Sequence, residues 1–163
     1  MLLSLDGSRT VTRFLQTRAA EGIARFSPNG RWLAYASNES GRGEIYVRPF
    51  PGPGATSQVS TAGGSEPVWS RDGRELFYRS GDAVMAVPVS TDTAFAAGLP
   101  RRLFTDHYER TGTGTRGYDV SLDGRRFLMI EPAEPELPVA QISVVLGWFD
   151  EVRQRVQQGP QSR

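Results

Sequence analysis

The 163-residue sequence has no cysteine, no lysine and a single histidine. Without cysteine the chain has no disulfide bond, no thiolate metal site and no cysteine nucleophile. One histidine and scattered acidic residues do not form a metal-ligand pattern. The 19 basic residues, all arginine, are balanced by 18 acidic ones, and a formal net charge of +1 creates no field that attracts nucleic acid. We therefore expect no cofactor, no metal and no nucleic-acid partner.

Long apolar runs are also missing. The best candidate, residues 142–149, contains Ser143 and Gly147 and is far shorter than the about 20 residues of a membrane-spanning helix. The chain has neither a glycine-rich phosphate loop nor the Gly-x-Ser-x-Gly elbow of serine hydrolases. We interpret His107, which lies beside Asp106 in a predicted loop, as an exposed loop residue. The sequence thus predicts no membrane span and no catalytic residue.

What the sequence does contain is one short pattern in three copies, at residues 26–37, 68–80 and 118–130. Each copy reads apolar, Ser, any residue, Asp or Asn, Gly, Arg, and then an apolar run. The turn glycines Gly30, Gly73 and Gly124 follow one another at intervals of 43 and 51 residues. An Asp-Gly or Asn-Gly pair between apolar runs predicts a tight turn joining antiparallel strands. A period of this length is typical of β-propeller blades.

We therefore predict an all-β chain that forms a partial β-propeller of four-stranded antiparallel blades and ends in a short helix. The predicted parts are the end of a preceding blade at 1–17, complete blades at 18–61 and 62–105, a last blade at 106–146, a helix at 147–157 and a polar tail at 158–163. The helix is predicted because Trp148, Phe149, Val152 and Val156 share one helical face.

The alternation of apolar residues also predicts individual strands. Their ranges are 22–27, 31–37, 44–49 and 57–60 in the first complete blade, 66–70, 74–79, 83–89 and 101–104 in the second, and 117–121, 125–130 and 141–146 in the last. Pro88 lies inside the third strand of the second blade. Because proline donates no hydrogen bond, that strand is expected to lie at an edge or to lack one ladder bond.

Two sets of polar residues recur with the turn. Asn29, Asp72 and Asp123 are candidate cation ligands, but we interpret them as turn formers because one per turn is explained by conformation alone. The residues after the glycine are candidates for a basic ring at the propeller rim, which would bind an anionic ligand or a protein; they are Arg31, Arg74 and Arg125. Solvated strand ends, or pairing with carboxylates of the next blade, are the alternatives. We expect the aromatic residues to form the blade core; they are Trp32, Trp69, Phe77, Tyr78 and Phe127.

These repeats resemble those of TolB-like β-propellers, whose blades carry a motif close to Phe-Ser-Pro-Asp-Gly-Arg. Residues 26–35 followed by 44–51 are similar to the C-terminal propeller of large bacterial proteins, in which a serine/threonine kinase domain and a membrane span, or a DNA-binding domain, commonly precede it. Residues 69–78 and 142–149 are also similar to that propeller. Asn29 replaces the usual Asp, and Arg71 and Leu122 replace Pro. The resemblance favours an extracytoplasmic location, while the residues themselves leave the compartment open.

Two function classes follow from this resemblance. The first is a non-catalytic module that binds or senses a protein or a small ligand within a larger bacterial signalling protein. The alternative is an accessory propeller that regulates an enzyme, a serine/threonine kinase rather than a peptidase, whose catalytic domain is not in this chain.

Two complete blades with parts of two others do not close a ring. We expect the remaining blades to come from upstream sequence of a longer protein or from a second copy in a symmetric dimer.

Overall fold

The computed structural model describes residues 1–5, 7–15, 17–105, 108, 117–131 and 153. The described residues form antiparallel sheets, which confirms the all-β prediction. The chain divides into a unit at Met1–Pro132 and a unit at Ala133–Arg163. The predicted strand at 141–146 and helix at 147–157 lie outside the described residues, apart from Arg153, and so does His107.

Thirteen strands occur in the described part of the chain. They are β1 (Leu2–Leu3), β2 (Val11–Thr12), β3 (Glu21–Phe26), β4 (Trp32–Ser37), β5 (Glu44–Pro49), β6 (Ser57–Gln58), β7 (Ser65–Trp69), β8 (Glu75–Ser80), β9 (Ala83–Ser90), β10 (Ala96–Ala97), β11 (Arg101–Thr105), β12 (Tyr118–Val120) and β13 (Phe127–Met129). Each strand predicted within residues 18–130 is found, with ends that differ by at most two residues. Within this range only β10 was not predicted, because two alanines carry no strand pattern.

In the part of the chain that the structure describes, strands pair in four sheets. Strands β1 and β2 form an N-terminal hairpin. Sheet I has the order β3-β4-β5-β6, and sheet II has the order β7-β8-β9, with both β10 and β11 paired to β9. Strands β12 and β13 form a further hairpin. The N-terminal hairpin leads to Phe14, whose ring contacts Phe50 at 5.2 Å and lies 4.9 Å from the guanidinium carbon of Arg48. That this hairpin ends a preceding blade stays a prediction.

Pro88 shows which of its two predicted effects applies. Strand β9 lies inside sheet II with partners on both sides, so the edge interpretation is wrong. On the side of β9 away from β8, β11 pairs with Ala83–Ala86 and β10 pairs with Val89 and Ser90. Pro88 lies at the break between these two partners, so the ladder on this side of β9 is interrupted where the proline has no N–H, which is the second predicted effect.

The three predicted turns share one set of hydrogen bonds. In the first, the Ser27 hydroxyl donates to Oδ1 of Asn29 at 2.7 Å, and the same Oδ1 accepts the N–H of Arg31 at 3.1 Å. The N–H of Trp32 then donates to the Ser27 hydroxyl at 3.0 Å. Gly30 has φ = 69°, a left-handed conformation that glycine adopts without steric cost.

The second and third turns repeat these bonds. Asp72 accepts from the Ser70 hydroxyl at 2.7 Å, and Asp123 accepts from the Ser121 hydroxyl at 2.5 Å. In both turns the N–H of the following arginine is 3.1 Å from the carboxylate oxygen, and the glycine φ is 70°. The side chains that were candidate cation ligands are thus hydrogen-bonded within their own turns. Among the described residues no group of acidic or histidine side chains is placed to hold a metal ion.

Two apolar clusters hold the sheets face to face. The first joins Ala34, Ile45, Val47 and Val59 from sheet I and its following segment to Trp69, Leu76, Tyr78 and Val87 from sheet II. The second lies on the opposite face of sheet II and joins Val68, Phe77 and Ala86 to Tyr118 of the β12–β13 hairpin. Successive residues of β8 therefore face opposite clusters, as the alternation of a strand requires.

The predicted aromatic core is confirmed by these clusters. Trp69, Phe77 and Tyr78 are buried, while Trp32 and Phe127 are partly buried against the first and second cluster, respectively.

Strands β3 and β7 share a bulge that the sequence did not predict. Ile23 and Glu66 occupy the same position of the repeat, and each has a positive φ, 51° and 55°. Strand register shifts at both sites. The buried carboxylate of Glu66 accepts the N–H of Gly117 at 2.6 Å, and its main-chain oxygen accepts the Tyr118 hydroxyl at 2.8 Å. The bulge in β7 thus presents Glu66 to the β12–β13 hairpin and ties the hairpin to sheet II.

Candidate functional site

The three candidate rim arginines lie at equivalent places, each exposed and directly after a turn glycine with positive φ. The guanidinium of Arg31 donates a hydrogen bond to the main-chain oxygen of Asp92, in the segment that follows β9 of sheet II. Arg125 lines a groove described below. Arg31 thus contacts a main-chain carbonyl of the neighbouring sheet instead of a carboxylate. A shared basic ring stays a prediction.

The turn carboxylates are electrostatically stabilised by the turn itself. The Ser70 hydroxyl and then the N–H of Arg74 lower the pKa of Asp72 below its usual range. The Ser121 hydroxyl and the N–H of Arg125 lower the pKa of Asp123 in the same way. A lowered pKa keeps a carboxylate ionised at neutral pH, which suits a hydrogen-bond acceptor and not a general acid.

A groove of about 510 Å³ lies between sheet II and the β12–β13 hairpin. This volume falls within the range of about 300–1,000 Å³ typical of ligand sites. Its walls are apolar and come from β8, β11 and β13; they are Phe77, Leu103, Phe104, Phe127 and Met129. Its polar rim includes Glu75, Arg101, Tyr108 and Arg125. The groove therefore combines an apolar interior with charged groups at the edge.

Aromatic contacts fix the walls of the groove. The ring of Phe127 meets Phe77 edge-on at 5.2 Å and Phe104 at 5.4 Å between centroids. Phe104 also contacts the ring of Tyr108 at 6.3 Å. Edge-to-face pairs of this kind hold rings in defined orientations, so the walls are preorganised to receive another apolar group.

The described charged residues at the rim of the groove are two arginines and one glutamate. Nη2 of Arg101 lies 2.6 Å from Oε1 of Glu75, and both side chains are partly exposed to solvent, 57% and 32%, respectively. Arg125 adds a second guanidinium on the facing hairpin. Among the described residues that line the groove there are one carboxylate and two guanidinium groups, and this excess of positive charge favours an anionic group on a bound partner.

The polar side chains of the groove can bind a charged or hydrogen-bonding group. The polar side chains among its described lining are those of Glu75, Arg101, Thr105, Tyr108 and Arg125, and no nucleophile hydrogen-bonded to a base occurs among them.

Sequence reasoning identified Arg125, Phe77 and Phe127 but assigned no role to Glu75, Arg101 or Phe104. The usable signal was Glu75 itself, a charged residue at the position where the first copy has Trp32.

No protein-family model and no curated protein matches this chain. Within the described ranges, no helix has the length and apolar character needed to cross a membrane.

Proposed function

We propose that the chain is a non-catalytic binding module that forms part of a β-propeller. In this proposal sheet I and sheet II are consecutive blades, and the β12–β13 hairpin begins the next one. The observation that carries it is the triplicated turn: the same hydrogen bonds recur at Ser27, Ser70 and Ser121, each time between the first two strands of a sheet. Repeated supersecondary units that hide their apolar faces only by stacking are typical of propellers.

Contacts between sheets I and II support a fixed spacing of the blades. The side-chain amide of Asn29 donates to the hydroxyl and main-chain oxygen of Thr91, at 3.1 Å and 3.2 Å. The indole N–H of Trp32 donates to the same main-chain oxygen at 3.0 Å. A turn that is bonded both internally and to the next sheet makes a rigid scaffold. Such a scaffold presents loops and inter-sheet grooves to partners, and loops are where binding residues usually lie.

The partner that this surface suits best is a protein or peptide, because the groove lies open to solvent with an apolar interior and a charged rim. The resemblance to propellers of bacterial signalling proteins agrees with a module that recognises a partner for a catalytic domain located elsewhere. Binding, and not turnover, is therefore the activity proposed for this chain.

Selection of phage-displayed random peptides on the immobilised, folded protein tests this proposal. We expect enrichment of a related set of peptides that bind saturably, and we expect each peptide to remain intact by mass spectrometry after incubation with the protein. Failure of any peptide to be enriched on folded protein would contradict the binding function. Cleavage of the enriched peptides by purified protein would contradict its non-catalytic character.

A further inference from the structure

The repeat provides an internal comparison between a filled interface and an open one. Trp32 and Glu75 each lie two residues after the turn glycine and begin the second strand of their sheets, β4 and β8. Between sheets I and II, the indole of Trp32 packs against the first apolar cluster and contacts Phe95 at 5.6 Å. Between sheet II and the β12–β13 hairpin, the matching position holds Glu75, which lines the groove. The groove therefore occupies the place in the second interface that is equivalent to the place of the Trp32 indole in the first.

Glu75 does not fill this space because its carboxylate is paired at the rim. The 2.6 Å ion pair with Arg101 on β11 places the carboxylate oxygen beside the guanidinium group. The apolar interior below it, formed by residues such as Phe104 and Phe127, remains accessible to another aromatic group. An aromatic ring bound in this position would pack against the apolar walls, as the indole of Trp32 does in the first interface.

We propose that the groove binds a peptide segment of a partner protein that carries an aromatic side chain beside a carboxylate. The aromatic ring packs against Phe104 and Phe127, and the carboxylate pairs with Arg125 at the rim. This inference rests on the proposed binding function and names its ligand class. A peptide is favoured over a small aromatic acid because the open groove would leave much of a small ligand in water, whereas flanking peptide residues cover the rim.

Calorimetric titration of the full chain with the peptide acetyl-Glu-Phe-Glu-amide tests the proposal. We expect saturable binding that weakens at least about tenfold when the peptide is changed to acetyl-Gln-Phe-Gln-amide or acetyl-Glu-Ala-Glu-amide, since a charged contact and a buried ring are each worth about a factor of ten. Free N-acetylphenylalanine should bind more weakly than the peptide. Equal binding of this small acid would overturn the assignment to a peptide.

Substitutions in the protein locate the binding site. Arg125→Gln should weaken binding about tenfold. Glu75→Trp should abolish binding, because the new indole would fill the groove as the indole of Trp32 fills the first interface. Glu75→Gln should strengthen binding about threefold, because it removes a like charge and releases Arg101. Arg102→Gln is the matched control: Arg102 is exposed on the same strand as Arg101 and does not line the groove. Circular dichroism confirms that each variant is folded.

The outcomes separate this inference from the proposed function. If folded Glu75→Trp binds the peptide as well as the unchanged protein does, the groove is not the site. If phage-selected peptides bind but the Glu-Phe-Glu peptide does not, the ligand class is wrong while the binding function stands. If Arg102→Gln weakens binding as much as Arg125→Gln, general surface charge explains the effect, and the groove assignment is overturned.

Discussion

Replacing Trp69 by alanine is expected to lower the free energy of unfolding by about 3–5 kcal/mol, the usual cost of truncating a buried tryptophan. Only 8% of Trp69 is exposed, and it belongs to the cluster that joins sheets I and II. Its indole N–H also donates to the main-chain oxygen of Arg25 in sheet I at 3.1 Å. Urea unfolding followed by circular dichroism measures the loss. Trp69→Phe keeps an aromatic ring but not the hydrogen bond, so we expect a much smaller loss than for Trp69→Ala.

Phe26 provides a matched control for Trp69, because both residues directly precede the serine of the repeated turn, Phe26 in sheet I and Trp69 in sheet II. Its side chain is 51% exposed, although it contacts the ring of Phe50 at 4.7 Å. Phe26→Ala is therefore expected to cost about 1–2 kcal/mol, in proportion to its smaller burial. Equal losses at the two positions would mean that sheet-to-sheet packing does not stabilise Trp69 in the way described.

A second large effect is expected at Glu44, a buried carboxylate at the start of β5. Its oxygens accept hydrogen bonds from the Ser60 hydroxyl and, at 3.0 Å, from the N–H of Gly63, and Nε of Arg42 lies 2.5 Å away. Burial raises the pKa of Glu44, but these three donors outweigh burial, and the net pKa is lowered. Because residues 60–63 connect sheet I to sheet II, this carboxylate holds the connection in place.

Glu44→Ala is expected to destabilise the protein by about 3 kcal/mol at pH 7, since it leaves the buried Ser60 hydroxyl and the partly buried Gly63 N–H without their charged acceptor. A carboxyl with a lowered folded pKa stabilises the protein above its unfolded pKa of about 4.3 and loses this contribution as pH falls through the folded value. The difference between the two proteins should therefore shrink as pH falls below about 4. Urea unfolding across this pH range measures it.

Glu44→Gln is the matched control because it keeps the side-chain volume and one acceptor oxygen. We expect a smaller loss at pH 7 than for Glu44→Ala. A deficit of Glu44→Ala that stays constant from neutral to acidic pH would show that ionisation of Glu44 does not contribute, and it would contradict the assigned hydrogen-bond network.

The strands were predicted well because the alternation of apolar residues and the Asn-Gly or Asp-Gly pairs are local features of the sequence. Ser27, Asn29 and Gly30 specify their turn within a few residues, so the turn was predictable before its partners were known. The bulge at Glu66 was not predictable in this way. A non-glycine residue with positive φ is maintained by contacts to Gly117 and Tyr118, about 50 residues further along the chain.

The candidate site was only partly predictable for the same reason. Arg125 was identified from its position after the third turn glycine, but its role depends on which elements lie opposite. Glu75 and Arg101 form an ion pair between strands that are distant in sequence. That the repeat has Glu75 where its first copy has Trp32 can be interpreted only when the two sheet interfaces are compared. Local patterns thus predicted the sheets, whereas the groove required knowledge of how the sheets stack.

The central proposal is that the repeated turn builds sheets that stack face to face as successive blades. Nuclear Overhauser contacts in the isotope-labelled protein test it most directly. The stacking predicts cross-peaks from the Trp69 indole N–H to backbone protons around Arg25, and from the Asn29 side-chain amide to the side chain of Thr91. Intact contacts within sheets I and II, together with the absence of both of these contacts between them, would contradict the claim.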